Sequence, residues 1–198
     1  MHYAIEKLHF PRKNIVIFAW SIGGYSAVWT AVHYQDIQGL ILDAIFDDVL
    51  PLAQRQMPLS TSKFVEKTVR YYLDLNNVQL LKLYHGPFYL IRRTNDEVMN
   101  FIRGKVETNR ANDILLSILP YRYPFIYTNN EIVLLLKEYL TSNKIQKNYL
   151  RDKYCSDKNQ LKFEADTYRL ENPISSYPCQ FGLLNIFDFT LNDFLFLR

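Results

Sequence analysis

The chain has 198 residues, 48% of them hydrophobic and 22% charged, ordinary proportions for one globular domain with a sizeable core. Its formal net charge is +3. Lys and Arg are scattered among acids, which speaks against a nucleic-acid-binding stripe and leaves only a weak attraction to an anionic lipid surface. Cys155 and Cys179 fit no zinc spacing and are too few for a disulfide scaffold.

Residues 2–9 read as a short amphipathic helix with Ala4, Ile5 and Leu8 on one face, closed by Pro11, rather than as a secretory leader. Residues 14–18 form a continuous apolar, β-branched run of the kind that makes a buried parallel strand. A helix over 23–33 and a second buried strand over 39–42 follow, so the segment reads as a βαβ unit. Amphipathic helices are expected over 47–57 and 62–73, with Val65, Val69 and Tyr72 at helical spacing in the second. A short helix over 78–84 stops at Gly86-Pro87. A third apolar strand, 88–92, leads into the polar turn Arg93-Thr94-Asn95-Asp96. Helices over 111–119 and 131–140 complete the pattern. Beyond Thr141 it decays into polar and then aromatic sequence with no clear period. No apolar run approaches the ~20 residues of a membrane-spanning helix; 183–197 is short and carries Asp188 and Asp193.

Alternating strands and helices imply an α/β layer fold with a parallel sheet and flanking helices. The motif Ala19-Trp20-Ser21-Ile22-Gly23 lies between the first strand and the first helix. It differs from Gly-x-Ser-x-Gly only by Ala19, and it has the strand-turn-helix context of a nucleophile elbow. Small residues at 19 and 23, with Gly24 behind, are expected to give the turn its clearance. The elbow raises the Ser21 hydroxyl above the sheet at a helix N-terminus, where the Ile22 N–H is placed as an oxyanion donor. In this fold an acid and then a His follow the serine. Asp96 and Asp43, each at or beyond the end of an apolar strand, both qualify as the acid. The four histidines, His2, His9, His33 and His85, all precede Asp96 and read as structural rather than catalytic.

Longer strings extend the pattern: Ile41-Leu42-Asp43-Ala44 with Phe46-Asp47-Asp48, Leu75-Asn76-Asn77, and Leu90-Ile91-Arg92-Arg93-Thr94 with Asp96-Glu97. Asn109-Arg110 with Asn112-Asp113 and Arg122-Tyr123-Pro124 continue it. Together with the elbow they resemble the abhydrolase domain-containing protein 16 family of phosphatidylserine lipases over about residues 3–140. The resemblance implies the C-terminal part of an α/β-hydrolase fold, with the early strands missing from this chain. Residues 1–145 would form the partial hydrolase domain, followed by a C-terminal segment, 146–198. It also implies hydrolysis of an acyl ester of phosphatidylserine or of a monoacylglycerol at a membrane surface, with association to the endoplasmic reticulum and no cofactor, metal or nucleic acid. Ser21 falls on the family nucleophile and Asp96 on its charge-relay acid. The family's base is a His in a Tyr-x-x-Glu-His-Gly-Pro stretch. The closest string here, Tyr168-Arg169-Leu170-Glu171-Asn172-Pro173, places Asn172 at that His. A second family string, Phe-Glu-Ala-Thr-His, resembles Phe163-Glu164-Ala165-Asp166-Thr167, again without a His. An amide is not a usable base, so a non-catalytic homologue that binds lipid or a protein partner is the alternative expectation.

Overall fold

The three apolar runs of the sequence pair in register as β1 (Val16–Trp20), β2 (Gly39–Asp43) and β3 (Phe88–Arg93), all parallel. The computed structural model describes residues 1–93, 95–124 and 127–154, with the backbone of 185–188 and 192–197. Two further strands, β4 (Asn185–Asp188) and β5 (Asn192–Leu197), form an antiparallel hairpin. β5 lies antiparallel to β3, from Phe88 opposite Leu197 to Arg93 opposite Asn192. The sheet order is β1-β2-β3-β5-β4, so a parallel core carries an antiparallel edge drawn from the unassigned end of the chain.

Side-chain alternation decides what covers the sheet. On one face, in register, Ile17 and Ala19 of β1 meet Leu40 and Leu42 of β2, which meet Phe88 and Leu90 of β3. These residues share one apolar cluster with Val28 and Ala31 of α1 (Gly23–His33) and with Leu81 of α4 (Asn77–Leu83). Ile114, Leu115 and Ile118 of α5 (Ala111–Arg122) close it from above. The opposite face is covered less: Phe18 and Trp20 are 61% and 62% exposed. The first run, expected as a buried parallel strand, is thus buried on one face only, and among the described residues β1 stands at the end of the sheet. Its apolar residues were read correctly as strand-forming, but an apolar run does not reveal whether a second layer lies over it.

Between β2 and β3 the chain forms α2 (Val49–Gln56), α3 (Ser62–Tyr72) and α4. Asp48 caps α2 through a bond from the Leu50 N–H, 2.8 Å, and Asn76 caps α4 through one from the Gln79 N–H, 3.0 Å. α5 continues past Pro120 to Arg122, beyond the predicted end at 119. The proline forfeits one helical hydrogen bond, while the buried Arg122 donates to the Tyr84 carbonyl at 2.6 Å and lies over the Phe88 ring, securing the last turn. α6 (Asn130–Thr141) follows, and then α7 (Lys144–Tyr154), a helix the sequence pattern leaves unassigned.

A cation holds the two halves of the core together. Arg92 of β3, 1% exposed, donates to the Asn112 side chain of α5 and to the Leu140 carbonyl of α6, the latter at 2.9 Å. Replacing it by Met keeps the stem but leaves buried acceptors without a charged donor. Arg92→Met is expected to lower stability by about 2–4 kcal/mol, read as a lower urea midpoint with an unchanged slope. At the open edge, Phe18→Lys should reduce self-association in sedimentation or light scattering with little loss of melting temperature, because the side chain leaves no packed site and charge blunts an exposed edge strand.

Candidate active site

β1 passes directly into α1 through Ser21, whose φ is +52°. Side-chain-bearing residues seldom adopt that left-handed backbone, and where they do the surroundings must hold it. Here the Ser21 N–H donates to the Asp43 carbonyl, 2.9 Å, and the Ser21 carbonyl accepts from the Gly24 N–H, 3.0 Å. The next amide, that of Tyr25, bonds back to the Ile22 carbonyl at 3.3 Å. The Ile22 and Gly23 amides thus belong to the unpaired first turn of α1, where backbone N–H groups and the helix dipole favour negative charge.

The need for small residues in the turn is met differently from the motif's simplest reading. A Cβ on Gly23 would meet nothing within 4 Å. On Gly24 it would overlap the Ile45 side chain just beyond β2. Ala19 is buried against the core. Gly24, which the motif treats as extra clearance, is where helix and strand approach most closely.

Asp43 ends β2 beside the elbow, opposite Trp20. It is buried, and both its carboxylate oxygens are taken by Arg93, from Nε at 2.9 Å and from Nη2 at 2.5 Å. The same guanidinium lies over the Trp20 ring, 6.0 Å from its centroid. Asp43 holds Arg93's protonation above its ordinary range through these hydrogen bonds. Asp96 stands three residues beyond the end of β3, partly buried. Its Oδ1 accepts from the Val98 and Met99 amides at 2.9 and 2.8 Å. Among the described residues its other oxygen accepts no hydrogen bond. Ser21 and Asp96 therefore follow the C-terminal ends of two parallel strands separated by one, a lateral offset of about 10 Å at ordinary strand spacing.

Further along the same edge Asp47 is clasped by Arg110, with Nε 2.8 Å from Oδ1. Burial pushes the Asp47 carboxyl above the usual carboxylate range, and the adjacent Arg110 draws it only part of the way back. Arg93 and Arg110 lie in the strings that carry the family resemblance, but nothing in the sequence pairs them with Asp43 and Asp47.

No described histidine is hydrogen-bonded to Ser21 or to Asp96. His33 ends α1, its Nδ1 2.8 Å from the Trp29 carbonyl and its ring stacked on Trp29. An 11-residue helix puts it about 16 Å from Ser21. His85 precedes β3, its N–H donating to Gln35 at 3.0 Å. His2 and His9 are exposed ahead of β1. Asn172 and the 163–167 string lie outside the described residues.

The chain is 46% identical over 129 residues to the phosphatidylserine lipase ABHD16A of Rattus norvegicus, a match that covers 65% of this chain and 23% of that protein. The matched residues are ABHD16-family sequence. The Homo sapiens phosphatidylserine lipase ABHD16A is 47% identical over 125 residues, covering 63% of this chain and 22% of the relative. An uncharacterized Caenorhabditis elegans protein, F37A4.1, is 40% identical over 137 residues, 66% of this chain and 28% of its own length. The chain spans about a quarter of the length of these curated relatives. No family model and no solved structure matches it. With ABHD16 sequence on three parallel strands and their flanking helices, the architecture is part of an α/β-hydrolase fold. No described helix is long and apolar enough to cross a membrane.

The two glycines after Ser21 separate experimentally. Gly24→Ala must push Ile45 aside and is expected to cost about 1–3 kcal/mol, seen as a lower melting temperature. Gly23→Ala, with open space at its Cβ, should change stability by under about 1 kcal/mol.

Proposed function

We propose that this polypeptide supplies the nucleophile, one oxyanion donor and the acid of a lipase. Its substrate would be an acyl ester of phosphatidylserine, with lysophosphatidylserine and a fatty acid as products, or a monoacylglycerol. Association with the endoplasmic reticulum membrane belongs to the same reading. The observation that carries it is the positive φ of Ser21 at a strand-to-helix turn within ABHD16-family sequence.

In the reaction, the Ser21 Oγ attacks the acyl carbonyl carbon while a base takes its proton. The carbonyl oxygen becomes an oxyanion facing the Ile22 N–H. Collapse breaks the bond to the glycerol oxygen, which leaves with the proton as the lysolipid alcohol. Water then attacks the acyl-Ser21 ester in the same way, releasing the fatty acid and restoring the hydroxyl. Asp96 is the acid that orients the base. Its unengaged oxygen supports that role, and the full engagement of Asp43 by Arg93 disfavours the rival.

The base is the weak member. No His follows Asp96 in this sequence, and the resemblance puts Asn172 at the family's His. A second reading, a non-catalytic homologue that binds lipid or a protein partner, rests on that observation. Losing a triad member costs about four to six powers of ten in rate.

Labelling of the full chain with a fluorophosphonate separates the two. On the lipase reading the unaltered chain labels slowly, Ser21→Ala abolishes labelling, and Asn172→His accelerates it by at least about 100-fold. Asn172→His that folds and stays inert would leave the non-catalytic reading standing.

A further inference from the structure

α3 is apolar on two sides, and only one of them is used by the fold. Val65 and Val69 are buried against the body of the protein. Phe64, Lys67 and Tyr71 recur three and four residues apart on the side turned away from those valines, and all are exposed, the two aromatics by 73% and 80%. Lys63 lies one turn before Lys67. The turn leading into the helix adds Met57 and Leu59, the latter 91% exposed.

The charges are sorted as well. Arg70 is committed to Asp48 and Asp74, and Glu66 shares its flank, one turn away. Lys63 and Lys67 run along one border of the aromatics Phe64 and Tyr71 and form no ion pair among the described residues. The stripe is therefore aromatic, cationic and free of carboxylates. The Arg70–Asp48 pair, 2.6 Å, also fixes its placement, because Asp48 lies in the segment that leaves the C-terminal end of β2. α3 is thus tethered near the C-terminal edge of the sheet, the edge from which Ser21 follows β1.

We propose that this face of α3 is a docking surface for an anionic lipid bilayer, with Phe64 and Tyr71 seated at the headgroup level and Lys63 and Lys67 against the lipid phosphates and carboxylates. The choice of a bilayer over a protein partner follows from the charge pattern and rests on the lipase reading, whose substrate is an anionic lipid. A helix with aromatics beside lysines is suited to the membrane interface, where each Lys near an anionic surface adds about a 5-fold gain in partitioning. Docked in this way, α3 brings the edge carrying Ser21 to the lipid surface.

Flotation of the full chain with vesicles of phosphatidylcholine alone, or of phosphatidylcholine with phosphatidylserine, tests this. The expected result is salt-sensitive binding to the phosphatidylserine vesicles. Lys63→Gln with Lys67→Gln should weaken it by about 25-fold at low salt, and Phe64→Ser with Tyr71→Ser by about 10-fold. These side chains are exposed, so circular dichroism and melting should match the unaltered chain. Equal binding to both vesicles at every salt concentration, or no binding to either, overturns the proposal. So does loss of binding in Phe18→Ser with Trp20→Ser while the α3 variants bind normally, since the lipid would then sit on the β1 edge. Because no turnover is measured, a chain that binds through α3 but never reacts with the fluorophosphonate refutes the lipase reading alone.

Discussion

Asp43 is the residue on which the candidate site is built. Its backbone pairs with β1 and β3, its carbonyl holds the Ser21 N–H, and its carboxylate clasps Arg93. Three strands are thereby tied at one edge by a main-chain bond and a bidentate ion pair whose carboxylate is buried and whose guanidinium is about half exposed. Such a pair contributes less to net stability than its Coulomb energy suggests. Its geometric effect is larger, because a carboxylate with both oxygens occupied cannot orient a base. Asp43 thus serves the structure at this edge, while Asp96, in the loop beyond β3, keeps one carboxylate oxygen unengaged among the described residues.

The same device recurs along the edge. Asp47 meets Arg110 and Asp48 meets Arg70, so successive acids after β2 are each matched by an arginine from a different element. Parallel strands bring their C-terminal ends together, and the connections that leave them must cross that edge without leaving buried charge unpaired. The arginines meet that requirement and position the helices as they do so. α3 takes its orientation from Arg70, which is why its aromatic stripe has a defined direction.

The sheet is unequal in its two faces. Helices cover the Leu40, Leu42, Phe88 and Leu90 side, while Phe18 and Trp20 remain largely exposed on the other. An uncovered edge strand with aromatics is a site for further pairing or for aggregation. β3 is not left in that condition, because β5 lies against its other edge.

The sequence by itself determined the three parallel strands, the strand-to-helix turn at Ser21 and the position of most helices. These features depend on short-range periodicity and on small residues at fixed offsets. It also carried the family strings, since they are linear. Tertiary structure alone decided that β1 is covered on one face, that Gly24 rather than Gly23 is the close approach, and that Asp43 is spoken for by Arg93. It also decided that α5 runs through Pro120 under the hold of Arg122. Each of these depends on residues distant in sequence meeting in space, as Arg93 and Asp43 do across 50 positions. Local pattern has no access to that, because a strand's apolar run reads the same whether or not a second layer lies upon it.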